Sequence, residues 1–219
     1  MVLEYILSLP KSFYVSWRLT SFREALHFPI VVRYNTKIVS LKGHVEISNR
    51  KRKRASIIIG FNNVGIYDKK HSRPILQIEG KMVVNGQATF GQGAKICVMQ
   101  NGTLAVGDNF NNTAEGVVIC CKQITIGQNC LMSWETVIMD SDWHRVKNLE
   151  NGDVSEESKE IDIEDDVWIG LRATVLKGAY IPAGCIVAAN TTVTKAFCNR
   201  NTLLAGSPAK ERKYNVTRL

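Results

Sequence analysis

Histidine is scarce in this chain: four in 219 residues, no two of them close together. A three-histidine zinc site needs ligands that converge, including a closely spaced pair. The wide spread of His44, His71 and His144 therefore argues against a metal centre. Six cysteines are present without a single CxxC pair, so they read as reduced packing residues rather than metal ligands or disulfides. No apolar run is long enough to span a bilayer. The opening MVLEYILSL is broken by Glu4 and lacks the basic start of a secretory signal. Together these absences point to a cytoplasmic protein, in which Asn190-Thr191-Thr192 carries no glycosylation message.

What the chain does have is a period of six. Ile163, Ile169, Val175, Ile181, Val187 and Val193 stand in register, and four residues after each comes Val167, Ala173, Ala179, Cys185, Thr191 or Phe197. A helix rotates such a repeat away from any one face, and a simple strand shows a period of two. Six fits a prism of short strands that turns a corner after each flat side and points one branched residue inward, a parallel β-helix. The rhythm continues upstream through Ile78, Val84, Phe90 and Ile96. Shifted frames then follow at Val106–Phe110 and Ile126–Ile138, so extra residues enter at the corners. At about 18 residues per coil and a sheet spacing of about 4.8 Å, Ile78 to Val193 predicts roughly six to seven coils.

Three features fall outside the repeat. Residues 1–30 mix Leu3, Ile6, Leu7, Phe13, Tyr14 and Trp17 with Lys11, Arg18 and Arg23. Such an amphipathic element either caps the open end of the rod or contacts an anionic membrane surface. The run Asn49–Arg54 reads as a solvated corner loop or a contact for an anionic partner. With no recognised module beside it, specific DNA or RNA recognition is not expected. Finally, the repeat stops at Met139-Asp140-Ser141-Asp142-Trp143-His144, and a polar insertion of about residues 145–160 projects from it. A histidine at the root of such a loop suits a general base, since its ordinary pKa lies near neutrality.

The stretch DDVWIGLRATVLKGAYIPAGCIVAANTTVTKAF, followed by LLAGSPAK, resembles the C-terminal coils of the hexapeptide-repeat acyltransferases. These left-handed β-helix trimers include the galactoside, maltose, chloramphenicol and serine acetyltransferases. DSDWH, the insertion, VWIG and AGSPAK look most like the branch that modifies surface polysaccharides. The resemblance implies an all-β, left-handed parallel β-helix. Its expected parts are an N-terminal cap with irregular first coils over 1–74, regular coils over 75–205 and a tail over 206–219. It implies an acetyl-CoA-dependent O-acetyltransferase acting on a surface polysaccharide or its sugar precursor, with His144 as the base for direct attack on the thioester. No metal is implied.

The same resemblance assigns Trp168, Ala189, Thr194, Lys195 and Lys210 to the coenzyme, with Arg212 and Lys213 adding charge. It assigns Asp142, Trp143 and Asn112 to the acceptor, with Glu115 as the alternative to Asn112. It further implies a homotrimer whose clefts lie between subunits, a carbohydrate partner and no nucleic acid. The net charge of +8 suits an anionic coenzyme or glycan. Two other readings stay open: transfer to an amine or hydroxyl of a nucleotide sugar, small metabolite or antibiotic, and a non-catalytic β-helix scaffold. A γ-type carbonic anhydrase is disfavoured by the histidine spacing, and an ice-binding rod by the lack of repeated threonine rows.

Overall fold

The computed structural model describes residues 2–49, 54–62, 64–68 and 70–218. Most of the basic run, Arg50–Lys53, lies outside the described residues. The chain winds into a left-handed parallel β-helix whose three sides are sheets of nine, seven and six strands. Strand pairing is parallel throughout except at the C-terminal end. There, 203–205 turns back antiparallel onto 210–213 and closes the last edge of the first sheet.

The period of six is the inward-pointing column. All six register residues from Ile163 to Val193 are buried, as are the six that follow them by four. They form one continuous core with Phe90, Phe110, Met132 and Ile138 of the earlier coils. Cys130 and Cys185 pack in it, and burial pushes the Cys130 thiol up to about 11, consistent with an inert packing role. All six cysteines are free.

Coil length changes along the rod. Along the first sheet, register partners Ile30, Ile57, Ala88 and Phe110 are spaced by 27, 31 and 22 residues. Leu131 follows Asn111 by 20 residues, and Trp168 follows Leu131 by 37, with the insertion between them. Only the last two steps, 18 and 17, match the ideal coil. Ile78 to Val193 therefore holds five first-sheet strands (88–92, 110–114, 131–132, 168–169 and 186–187), fewer than the six to seven coils predicted. Corner residues and the insertion take up the difference. Regular strands also begin earlier than the visible repeat, at Ile30.

Helix α1 (Val2–Leu19) and the short α2 (Phe22–Ala25) cover the first strand, β1 (Ile30–Val32). A β-helix leaves the backbone of its first coil unpaired on the outer side, and here serines meet it. Ser12 Oγ accepts from Val32 N at 3.0 Å and donates to Val32 O at 3.2 Å. Ser16 does the same for Ile30, at 3.3 and 3.0 Å, and Ser8 accepts from Tyr34 N at 2.9 Å. The helix continues through Pro10, which sits on the exposed outer side, where its missing N–H strands no buried carbonyl.

Candidate active site: a corner cleft and a histidine-bearing arm

Trp168 and Ala189, two of the residues expected to bind coenzyme, line one cleft of about 280 Å³. Its floor and walls are successive turns of the corner between the first and second sheets: Ser133-Trp134, Gly170-Leu171 and Ala188-Ala189. The lining is mainly apolar because Trp134, Leu171 and the two alanines meet at the corner, while the Trp168 indole lies half-buried alongside. Trp168 Nε1 donates to Ser133 Oγ at 3.0 Å, which fixes the indole against the turn below. Gly170 is required by close approach, since a Cβ there would stand 2.7 Å from Val187 O and 2.8 Å from Ala189 N. That approach lets the turn of Ala188-Ala189 stack closely on the turn of Gly170-Leu171 in the wall of the cleft.

A buttress stands behind Trp134. Tyr67, from an insertion between the second-coil strands, meets the Trp134 ring edge-on at 6.3 Å and donates to Glu135 Oε1 at 2.8 Å. Burial, then the Glu135 hydrogen bond, pushes the Tyr67 hydroxyl up to about 12, so it stays a donor. Arg172 from the next turn pairs with the same carboxylate, and these two bonds hold Glu135 below the usual carboxylate range.

His144 belongs to another edge. It follows the second-sheet strand 137–139 and precedes the third-sheet strand 161–163, so it sits at the next corner of the prism. The insertion there is an antiparallel arm, bridged at Ser141–Ser158 and Lys147–Val154. Its root is well anchored. The buried Asp140 carboxylate accepts from Cys121 N, Lys122 N and Gln123 N at 2.7–2.8 Å. Ser141 Oγ accepts from Trp143 N at 3.0 Å, and Trp143 turns the chain at a φ of 57°. The His144 ring is exposed, with Nδ1 3.2 Å from the Asp142 carbonyl oxygen. Nδ1–H donating to that carbonyl leaves Nε2 free as the acceptor nitrogen. Lys177 Nζ holds the Asp142 carboxylate at 2.7 Å and hydrogen-bonds the carbonyls of Glu156 and Glu157, clamping both limbs of the arm.

Asn112, expected at the acceptor, points the other way. In the strand 110–114 the residues Phe110, Asn112 and Ala114 face inward, and Asn112 is 1% exposed. Its amide fills the space beside Gly116, out of reach of a sugar outside the rod. The alternative, Glu115, faces out but is paired with Lys95 at 2.8 Å. Thr194, Lys195 and Lys210 are all exposed. Lys195 Nζ sits 5.4 Å above the Phe197 ring. The turn before Lys210 is bonded to the strand before Thr194, through Ala209 N to Thr192 O at 2.8 Å. Ser133, Trp134 and Leu171 were not singled out from the sequence. The signal was there: Trp134 is a large aromatic at a corner where the repeat carries short residues.

Residues 160–195 match the model of a family described as the hexapeptide repeat of succinyl-transferase. A protein of Escherichia coli K12, provisionally named a lipopolysaccharide biosynthesis O-acetyl transferase, is 29% identical over 146 residues, covering 63% of this chain and 74% of that one. The polysialic acid O-acetyltransferase of Neisseria meningitidis is 27% identical over 164 residues, covering 73% of this chain. There the match spans 63% of the relative's own length, less than two thirds. Among solved structures, the polysialic acid-specific acetyltransferase NeuO superposes with a TM-score of 0.51 at 17% identity, over 81% of this chain and 89% of that one. That likeness is one of fold. No helix among the described residues is long and apolar enough to cross a membrane.

Proposed function

From the premise that this chain is a hexapeptide-repeat acyltransferase, we propose that it moves an acetyl group from acetyl-CoA to a hydroxyl of a surface polysaccharide or its sugar precursor. The observation that carries the donor is the corner cleft. Gly170, Ala188 and Ala189 open backbone to a slender chain, and Trp168 and Trp134 wall it with apolar surface. A pantetheine arm has that shape and that mix of apolar stem and amides. Lys195 and Lys210, with Arg212 and Lys213, are exposed cations of the same end of the rod, suited to the coenzyme phosphates.

His144 is the base. Its Nε2 takes the acceptor hydroxyl proton as that oxygen bonds to the acetyl carbonyl carbon; the carbon–sulfur bond then breaks and the proton passes to the departing sulfur. No acyl-enzyme is needed. Trp143, half-exposed beside the base, offers an aromatic face to a sugar ring, and Asp142 flanks it. The acceptor assignment rests on the sequence relatives, both named for O-acetyl transfer in surface-glycan chemistry. An acetyl-CoA donor sets the reaction inside the cell.

Because His144 and the cleft occupy different corners of one rod, we assign the working site to a homotrimer in which one subunit's arm reaches a neighbour's cleft. The arm carries Trp143, Val146, Leu149 and Val154 exposed, apolar surface suited to such a neighbour. Calorimetric titration with acetyl-CoA tests the donor: about one site per subunit is expected, and no binding to the folded protein overturns the reading. His144→Ala is expected to keep that binding and lower turnover by about 10² to 10⁴. Unchanged turnover removes His144 from the mechanism.

A further inference from the structure

Helix α1 is inside out. The side packed on the rod is lined with Ser8, Ser12 and Ser16 beside Val15 and Leu19, whereas Leu3, Ile6, Leu7, Tyr14 and Trp17 stand exposed on the opposite side. A surface helix of a globular protein normally shows the reverse, apolar residues in and polar residues out. The serines are explained, because they satisfy the open backbone of β1. The outward apolar residues do nothing for that seating. Phe22 of α2 extends the patch, its ring edge-on to Trp17 at 6.2 Å. A contiguous apolar face of this kind marks an interaction surface.

Charge and direction select the occupant. The one acid of α1, Glu4, is turned aside and held by Arg33 at 2.9 Å. Among the described residues, Arg18 and Arg23 flank the apolar face and are exposed, which edges it with basic charge, while the acid of α2, Glu24, is half-buried. Aromatic and aliphatic residues edged with arginine suit the headgroup boundary of an anionic bilayer. Direction follows from the serine bonds. Backbone hydrogen bonds between coils run along the rod, and α1 receives those of β1, so it lies across the rod's end with its apolar side facing away. That surface lies across the rod axis, as a planar partner requires. In the trimer proposed above, threefold symmetry along the rods would turn three such faces the same way.

We propose that α1 and α2 form an interfacial anchor that docks the rod end-on against an anionic bilayer. The inference stands apart from the transfer chemistry, and its test uses no coenzyme. The full chain is sedimented with large vesicles of phosphatidylcholine alone and of phosphatidylcholine mixed with phosphatidylglycerol, at low and high salt. Binding to the mixed vesicles, weakened by salt, is expected. The double variant Leu7→Ser/Trp17→Ser is expected to bind about tenfold more weakly or less, with its thermal unfolding and solution mass unchanged. Arg18→Glu/Arg23→Glu is expected to remove the salt-sensitive part while leaving the fold intact. Absence of wild-type binding overturns the proposal, as does full binding by the double variant. A wild-type solution mass larger than the double variant's also overturns it, because the patch would then be covered by further copies of the chain.

Discussion

Lys177 touches the root of the arm that carries the proposed base. It leaves the coil just after the strand 174–176 and spans to the root of the arm, where it bonds Asp142 on one limb and the carbonyls of Glu156 and Glu157 on the other. The Asp142 carbonyl in turn orients the His144 ring. Removing the ammonium should loosen both limbs and let the imidazole wander. Displacements of about 1 Å at a reacting group can lower rates by about 10². Lys177→Met is therefore expected to lower kcat by about tenfold to a hundredfold with acetyl-CoA affinity unchanged. It should also speed amide exchange over residues 141–158. Normal kcat with normal exchange protection would leave Lys177 without a positioning role. Nothing in the sequence marked this residue, because its partners are about 20 to 35 positions away and meet it only through the stacking of coils. His144, the proposed base, stands out in the sequence for the opposite reason: it lies where a strict repeat breaks. Asn112 shows the limit of reading a run of asparagines: neighbouring strand residues face opposite sides, and here Asn112 takes the buried one.

At the scale of elements, α1 matches β1 by arithmetic. Serines four apart on a helix rise about 6 Å, and alternate residues of a strand advance about 6.6 Å. Ser8, Ser12 and Ser16 can therefore serve Tyr34, Val32 and Ile30 in antiparallel order with little strain. Ser12 sits in the middle and is 1% exposed, so no water replaces its hydroxyl easily. Ser12→Ala should strand the N–H and C=O of Val32 and destabilise the chain by about 1–3 kcal/mol. Urea denaturation measures it, and a change within error would mean that the cap relaxes to accommodate the loss. This device was invisible in sequence because hydrophobic patterning assigns apolar residues inward, and α1 does the reverse. The coils were legible unevenly for a similar reason. Steps of 18 and 17 residues keep the inward column in phase at the C-terminal end. Steps of 27 and 31 at the start dilute it with corner residues, and the eye finds no period although the ladder is already parallel. Long corners are affordable there because β-helix stability comes from stacking successive turns, and a corner loop adds only slowly growing closure entropy.

At the scale of the whole molecule, the prism separates what the proposed reaction must join. His144, the proposed base, projects from the corner between the second and third sheets, while the proposed coenzyme cleft runs up the corner between the first and second. A rod cannot bend one edge toward another, because each coil is pinned to the next by parallel ladders on all three sides. A second copy can bring the edges together, and three copies around an axis complete three equal sites. Mixed assemblies test this directly. His144→Ala removes the base and keeps the cleft; Ala189→Trp fills the cleft and keeps the base. Each variant alone should be nearly inactive. Refolded together in equal amounts, three quarters of the trimers contain both chains. Each of those holds one site built from an intact arm and an intact cleft, so activity should return to about a quarter of the wild-type value. A site contained in one chain predicts no recovery at any mixing ratio, because every subunit then carries its own defect. Recovery that tracks the fraction of mixed trimers, read by mass, would place His144 across the subunit boundary from the cleft it serves.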